Sequence, residues 1–168
     1  MAENKYSSWT KNEIWLSLGL LLISMGLASF MLIRKNWIFF FIYWLLWFIV
    51  IILGRYLVCR HCNFLGKPCP TWCFGIIGGF LYKRSNKKDF TEIRKSQFFL
   101  DVFLIAMALI FPILVYLYLF LTEGLLIFDL FLAIIYFVIG LVVFLFHSKC
   151  CTKCPIKGCP LGPKQHKK

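Results

Sequence analysis

The chain has 168 residues, of which 61% are hydrophobic and only 15% are charged, and its formal net charge is +12. This length allows one domain, and the composition excludes an ordinary soluble globular protein, in which about half of the residues are apolar and a quarter charged. The basic residues flank apolar blocks, where attraction to anionic lipid headgroups accounts for them without a nucleic-acid partner.

The N-terminal segment, residues 1–13, is polar and too short to fold alone. It precedes the first apolar block, 14–33, which supplies the roughly 20 uncharged residues that a helix needs to cross a bilayer. This block is long for the apolar core of a signal peptide, and its start is not simply basic. We therefore interpret it as an uncleaved transmembrane span.

The second apolar block, 37–54, follows after a break of three residues. So short a connection predicts that the first two helices form an antiparallel hairpin. Several aromatic residues in this block are of the kind that anchors helices at the membrane interface. They are Trp37, Tyr43, Trp44 and Trp47.

The long loop, 55–97, contains four cysteines and then a short apolar stretch, 74–82, with two adjacent glycines. This stretch is too short to span a membrane, and we expect it to lie at the interface or dip into it. The sequence from Asp89 to Glu92 has the form of a helix-capping box. We expect the helix that it starts to continue into the third span.

The third span, 98–121, contains Pro112, which predicts a kink, and the fourth, 125–146, precedes a basic tail, 147–168. The predicted fold is an all-α integral membrane protein: a four-transmembrane-helix bundle of two helical hairpins with a small cysteine-rich cytoplasmic cap. Asp101 and Asp129 lie near span ends, where we expect interfacial carboxylates that meet water or a lysine.

Small residues recur at seven-residue steps in two spans, a spacing typical of close packing between helices. They are Ser17 and Ser24, Gly19 and Gly26 in the first span, and Ala133 and Gly140 in the fourth.

The distribution of Lys and Arg predicts the orientation, because cytoplasmic segments carry an excess of both. With four spans, 17 of the 19 Lys and Arg residues fall on the side of the termini and the long loop. We therefore expect a multi-pass protein of the cell membrane with both termini in the cytoplasm. All eight cysteines then lie on the cytoplasmic side, where thiols stay reduced and clustered cysteines are more often metal ligands than disulfides.

The cysteines form two clusters, each containing a C-x2-C pair that lets two thiolates converge on one ion. Basic neighbours such as Arg60 and Lys67 are expected to lower thiol pKa values. Soft thiolate shells suit zinc, iron–sulfur clusters and Cu(I), and the spacing does not choose between them. The predicted ligands are Cys59, Cys62, Cys69 and Cys73 in the first cluster, Cys150, Cys151, Cys154 and Cys159 in the second, and His61 and His166 as alternatives.

Three other interpretations of the cysteines stay open. Thiols at membrane exits are sites of palmitoylation, some cysteines can serve simply as buried apolar residues, and cysteine pairs in the cytosol also perform dithiol chemistry. Because the clusters follow the second and fourth spans, they are expected to pack as one cap, in which a metal would replace a hydrophobic core.

The layout resembles that of membrane palmitoyltransferases, which carry a cysteine-rich loop between spans two and three. Only His61 and Cys62 match the last two letters of their Asp-His-His-Cys motif. The layout is also similar to that of the four-helix membrane oxidoreductases that make disulfides, although those act on the outer face. Neither family is assigned.

The sequence favours a membrane-anchored zinc or iron–sulfur protein that acts as a non-enzymatic accessory or metal-handling factor. One alternative is a membrane oxidoreductase that uses iron–sulfur clusters or dithiols, and another is a metal-ion transporter or sensor. The expected partners are the lipid bilayer and a membrane or cytoplasmic protein. The sequence leaves the oligomeric state undetermined.

Overall fold

The computed structural model describes residues 9–62, 64–69, 71–84, 95–122 and 127–152. All regular structure in these ranges is helical. The long helices are α1 (Lys11–Lys35), α2 (Trp37–Ile49), α5 (Lys95–Thr122) and α6 (Ile127–Thr152). A π-helical segment (Val50–Gly54), α3 (Arg55–Leu57) and a 3₁₀ turn (Cys59–His61) continue α2, and α4 (Phe74–Leu81) is short.

Among the described residues, four helices are long and apolar enough to cross a membrane, which supports the prediction of a multi-pass membrane protein. Their bounds are Lys11–Lys35, Trp37–His61, Ser96–Thr122 and Ile127–Lys149. The predicted spans lie within or largely overlap these helices. The predicted capping box at 89–92 falls outside the described residues.

Capping hydrogen bonds from side chains define the start of α1 and the start of α2. Thr10 accepts a hydrogen bond from the Glu13 backbone N–H (3.3 Å), and the Glu13 carboxylate accepts one from the Thr10 N–H (2.9 Å). This reciprocal capping box satisfies two backbone donors that a helix start otherwise leaves open. At the other end Asn36 alone separates the two helices, and its side chain accepts from the Ile38 N–H.

A seam of buried residues at steps of three, four or seven runs along each long helix. In α1 it comprises Ser17, Leu21, Ser24, Ala28 and Met31. This spacing keeps one stripe of a helix against its neighbours and is the pattern of knobs-into-holes packing. The corresponding residues are Tyr43, Trp47, Val50 and Gly54 in the second span, Asp101, Ala108, Pro112, Val115 and Leu119 in α5, and Asp129, Leu132, Tyr136 and Val143 in α6.

The helices pack around α1. It contacts α2 and α6 extensively and α5 slightly, while α2 also packs on α5, and α5 and α6 touch less. Two tyrosines bond across helices: the Tyr116 hydroxyl donates to the Met31 carbonyl (3.1 Å), and the Tyr136 hydroxyl donates to the Leu109 carbonyl (2.7 Å). The two-hairpin arrangement and the kink at Pro112 stay predictions.

The structure corrects two expectations about which residues face lipid. Tyr43 and Trp47 are fully buried in the bundle, and of the four expected interface anchors only Trp37 and Trp44 are exposed. A Cβ atom added to Gly19, Gly26 or Gly140 would meet nothing within 4 Å, so these glycines do not pack between helices of this chain. Ser17 and Ser24 are buried as expected.

Candidate cysteine site

The first cysteine cluster lies at the end of α2, in a compact arrangement that we call the cysteine loop (residues 59–73). In both of its pairs the second cysteine donates its backbone N–H to the carbonyl of the first, Cys62 to Cys59 and Cys73 to Cys69, at 3.0 Å each. These bonds hold each pair in a turn, as ligation of one ion by two thiolates requires.

Helix α4 packs on the cysteine loop through a face of three glycines. A Cβ atom at Gly75 would lie 2.5 Å from the Lys67 carbonyl oxygen, and one at Gly79 would lie 2.5 Å from the Gly66 Cα. At Gly78 it would lie 3.1 Å from the Cys59 Cβ. Only glycine permits so close an approach between a helix and another backbone, so this apolar stretch has a packing role in the loop.

The opposite face of α4 is apolar and exposed: Phe80 is 90% exposed, and Ile76 and Leu81 are also exposed. The helix end is attached to the second span, because the Tyr82 hydroxyl donates to the Ile52 carbonyl (2.9 Å). Both observations are consistent with the expectation that this stretch lies at the membrane interface.

The junction between the loop and α4 contains two consecutive non-glycine residues in the left-handed region, Trp72 (φ 50°) and Cys73 (φ 58°). Such residues are uncommon, and each costs on the order of 1–3 kcal/mol unless its surroundings impose the conformation. Here burial imposes it, because Trp72 is 3% exposed and Cys73 is 9% exposed.

The sulfur atoms sit among backbone donors and other thiols. The Gly75 N–H donates to the Cys69 Sγ (3.2 Å), and the Phe64 N–H donates to the Cys62 Sγ (3.5 Å). Cys69 also lies close enough to Cys59 and Cys62 to interact with both electrostatically. Backbone donors of this kind stabilise a thiolate.

The expected lowering of thiol pKa values by basic neighbours is wrong for Cys69 and Cys73. Burial raises the pKa of the Cys69 thiol to about 12, and burial also raises the pKa of Cys73. Loss of water disfavours the charged thiolate more than the Gly75 N–H favours it. A protonated, buried thiol is a poor nucleophile, which counts against dithiol chemistry in this conformation.

The four cysteines of the loop are thiols and not disulfides. Within the described ranges, no three Cys, His, Asp or Glu side chains are arranged to hold a metal ion. His61 lies in the 3₁₀ turn between Cys59 and Cys62. The predicted ligands Cys150 and Cys151 lie in the last turn of α6, where only their backbone is described, and Cys154, Cys159 and His166 lie outside the described residues.

One contact joins the cysteine loop to the helix that carries the second cluster. The Trp72 ring lies 5.3 Å from the His147 ring, centroid to centroid, at an interplanar angle of 31°. His147 precedes Cys150 by three residues, which is about one helical turn. The segments of the two clusters therefore meet at the same end of the bundle.

The two intramembrane carboxylates occupy opposite ends. At the cysteine end, Asp101 is 5% exposed, and its carboxylate fills the space beside Gly54 that any Cβ would need. Gly54 closes the π-helical segment, and π-helical turns inside α-helices are frequent at functional sites. No residue pattern predicted this π-helical segment.

At the other end, the Asp129 carboxylate is 1% exposed and pairs with the Lys35 ammonium at 2.5 Å. Arg34 lies farther away at 4.0 Å, and its guanidinium stacks over the Phe128 ring, 4.7 Å from the centroid. The expectation that Asp129 meets a nearby lysine is confirmed. The pair joins α1 to α6.

No protein-family model, curated protein or solved structure matches this chain.

Proposed function

We propose that this protein is a membrane-anchored metal-binding protein whose cysteine loop holds zinc or an iron–sulfur cluster, and that it acts as a non-enzymatic accessory or metal-handling factor. The observation that carries the proposal is the placement of four reduced cysteines in one tightly packed loop, with both pairs closed by backbone hydrogen bonds. Thiolate-rich shells suit both kinds of centre.

Metal binding would require the cysteine loop to rearrange. The cysteine side chains would have to turn toward a common point and lose their protons, so metal affinity is coupled to the conformation of the loop. The second cluster would contribute from the end of α6, next to Trp72 and His147. This arrangement favours one joint cap at the membrane surface.

The alternative functions differ in what they require. An iron–sulfur oxidoreductase would use the same thiols, whereas a dithiol enzyme would need an accessible cysteine of low pKa, and Cys69 and Cys73 have the opposite properties. A metal-ion transporter would need ligands along the spans, and both described carboxylates of the spans lie near helix ends.

Metal analysis of the full-length chain tests the proposal. Purified in detergent without oxygen or chelator, the chain is expected to contain about one or two zinc ions, or iron with acid-labile sulfide, per molecule. Cys69→Ser is expected to lose at least half of this metal. The matched control Ser96→Ala, at an exposed position at the start of α5, should retain it.

The visible spectrum separates the two cofactors, because an iron–sulfur protein is brown and a zinc protein is colourless. A wild-type chain that contains no zinc, iron or copper when prepared in this way would contradict metal binding. Equal metal content in Cys69→Ser and the wild type would show that Cys69 and its loop do not bind the metal.

The proposed orientation places the cysteines in the cytoplasm, following the excess of Lys and Arg on that side. In intact cells, a membrane-impermeant maleimide is expected to label Trp37→Cys, at a position 64% exposed beside the turn between α1 and α2, and to leave the parent chain unlabelled. A permeant maleimide should label both. Labelling of the parent chain by the impermeant reagent would reverse the orientation.

A further inference from the structure

The end of α4 lies against an exposed side of the second span. The Tyr82 and Tyr56 rings meet edge to face, with centroids 5.4 Å apart, and the Tyr82 hydroxyl donates to the Ile52 carbonyl. Tyr56 and Ile52 are both exposed, and the second span continues to His61. The exposed side of a span faces lipid in a membrane, and tyrosine rings are enriched at its interface with water.

Basic side chains lie beside this pair of tyrosines. The Arg60 guanidinium lies over the Tyr56 ring, 4.5 Å from its centroid, as cation–π attraction favours. Lys83 and Arg84 directly follow Tyr82, and both are exposed. Arg60 belongs to the 3₁₀ turn of the cysteine loop, whereas Lys83 and Arg84 follow α4. Two ring contacts therefore bring cations of the loop and of α4 to one place.

Two of these cations have no counter-charge in the part of the chain that the structure describes. Neither Arg60 nor Lys83 forms an ion pair with a carboxylate there. The Arg60 Nε atom is buried and finds no hydrogen-bond partner among the same residues. Like charges at close range repel each other, and an anion between them would accept charge-assisted hydrogen bonds from both.

The exposed face of α4 continues this basic surface with apolar side chains. Phe80 and Leu81 lie next to the tyrosine pair in the chain, and Ile76 lies one turn before Phe80. A helix with an apolar face bordered by Lys and Arg lies in the interface plane, with its apolar side chains among acyl chains and its cations near anionic headgroups. Free phosphate would account for the cations but not for the apolar face. The combination fits a lipid that carries a negative charge.

We propose that α4 and the cations beside it bind an anionic phospholipid, whose phosphate bridges Arg60 and Lys83 and whose acyl chains lie against Phe80 and Leu81. We call these four residues the lipid site. The phosphate joins the 3₁₀ turn of the cysteine loop to the end of α4, and without it the two cations repel each other.

A bound lipid would also control the cysteine loop, because the opposite face of α4 covers that loop. The Gly75 N–H donates to the Cys69 Sγ, and Cys69 is buried. Anionic lipid is therefore expected to keep α4 closed over this thiol. The lipid site does not require bound metal, so its tests and the metal analysis succeed or fail separately.

Native mass spectrometry of the full-length chain, in detergent with equal amounts of phosphatidylglycerol and phosphatidylcholine, tests lipid binding. The wild type is expected to retain phosphatidylglycerol preferentially, and the double variant Arg60→Gln with Lys83→Gln should lose roughly fivefold of this preference for each cation removed. Lys67→Gln is the matched control, since Lys67 is exposed but its backbone lies on the glycine face of α4. It should bind lipid as the wild type does. Equal preference in the double variant and the wild type, or none in the wild type, overturns the lipid site.

The rate at which maleimide modifies Cys69 tests whether the lipid keeps α4 closed. Chelator is present throughout, so that metal does not protect the thiol. In nanodiscs that contain phosphatidylglycerol, Cys69 is expected to react roughly fivefold more slowly than in phosphatidylcholine alone, the factor that one cation–lipid contact supplies. The double variant should react equally in both.

Two outcomes of this experiment would contradict the proposal. Equal rates for the wild-type chain in the two kinds of nanodisc would show that anionic lipid does not hold α4 over Cys69. Inorganic phosphate might protect Cys69 in phosphatidylcholine nanodiscs as strongly as phosphatidylglycerol does, and that result would assign the cations to a free anion and overturn the lipid site.

Discussion

Asp129→Ala is expected to destabilise the bundle by about 3–5 kcal/mol, the cost of removing one partner from a buried ion pair. The Asp129 carboxylate is 1% exposed, and the Lys35 ammonium that it holds at 2.5 Å is 22% exposed. The substitution leaves that cation partly buried without its counter-charge. The measurement is the free energy of unfolding, or Tm, of the purified chain in nanodiscs.

Two further variants show whether the charge pair is the cause. Arg34→Gln should cost less than 1 kcal/mol, because Arg34 is 36% exposed and lies 4.0 Å from the carboxylate. The double variant Lys35→Met with Asp129→Leu should recover most of the loss, since an apolar pair avoids desolvating two charges. A double variant as unstable as the sum of its single changes would contradict this account.

Gly75→Ala is expected to separate α4 from the cysteine loop and to expose the thiols beneath it. The added methyl group would lie 2.5 Å from the Lys67 carbonyl oxygen and 3.4 Å from the Cys69 Sγ. Overpacking of this kind costs about 1–3 kcal/mol, and here the obstacle is backbone, which cannot rotate aside. The rate at which maleimide modifies Cys69, read by mass spectrometry, should rise at least tenfold.

The same substitution at Gly26 is the matched control. A Cβ atom at Gly26 would meet nothing within 4 Å, so Gly26→Ala removes only the helix penalty of glycine and should stabilise α1 by up to about 1 kcal/mol. It should leave the rate of Cys69 modification unchanged. Equal Cys69 modification rates in Gly75→Ala and the wild type would show that α4 does not cover the cysteine loop.

The positions of the four spans could be predicted from the sequence because their signal is local: each is a long apolar run without central charges. Which side of each helix is buried is not local information. Tyr43 and Trp47 were interpreted as interface anchors from their residue type, yet their spacing with Val50 and Gly54 follows the buried seam. In lipid both faces of a span are apolar, so hydrophobicity alone does not distinguish them.

That the cysteines are metal ligands stays a prediction, and their environment could not be predicted from the sequence. The C-x2-C spacing indicated a turn from Cys59 to Cys62, and that turn is present, whereas the turn from Cys69 to Cys73 was not predicted. The electrostatic effect of Arg60 and Lys67 was overestimated, because burial depends on how α4 closes over the loop. The three glycines of α4 were the available signal, since Gly78 and Gly79 follow Gly75 by three and four residues and so share its face of the helix.

The single residue between α1 and α2 leaves these helices no slack. The Asn36 backbone N–H donates to the Leu32 carbonyl at the end of α1, and its side chain accepts from the Ile38 N–H at the start of α2. Neither helix can therefore lengthen, slide or rotate at this point without breaking the cap of the other. A tilt of α1 would therefore also tilt α2. The second span continues from α2 through the π-helical segment and α3 to the turn at Cys59. A displacement of α1 would therefore be transmitted along the second span to the cysteine loop.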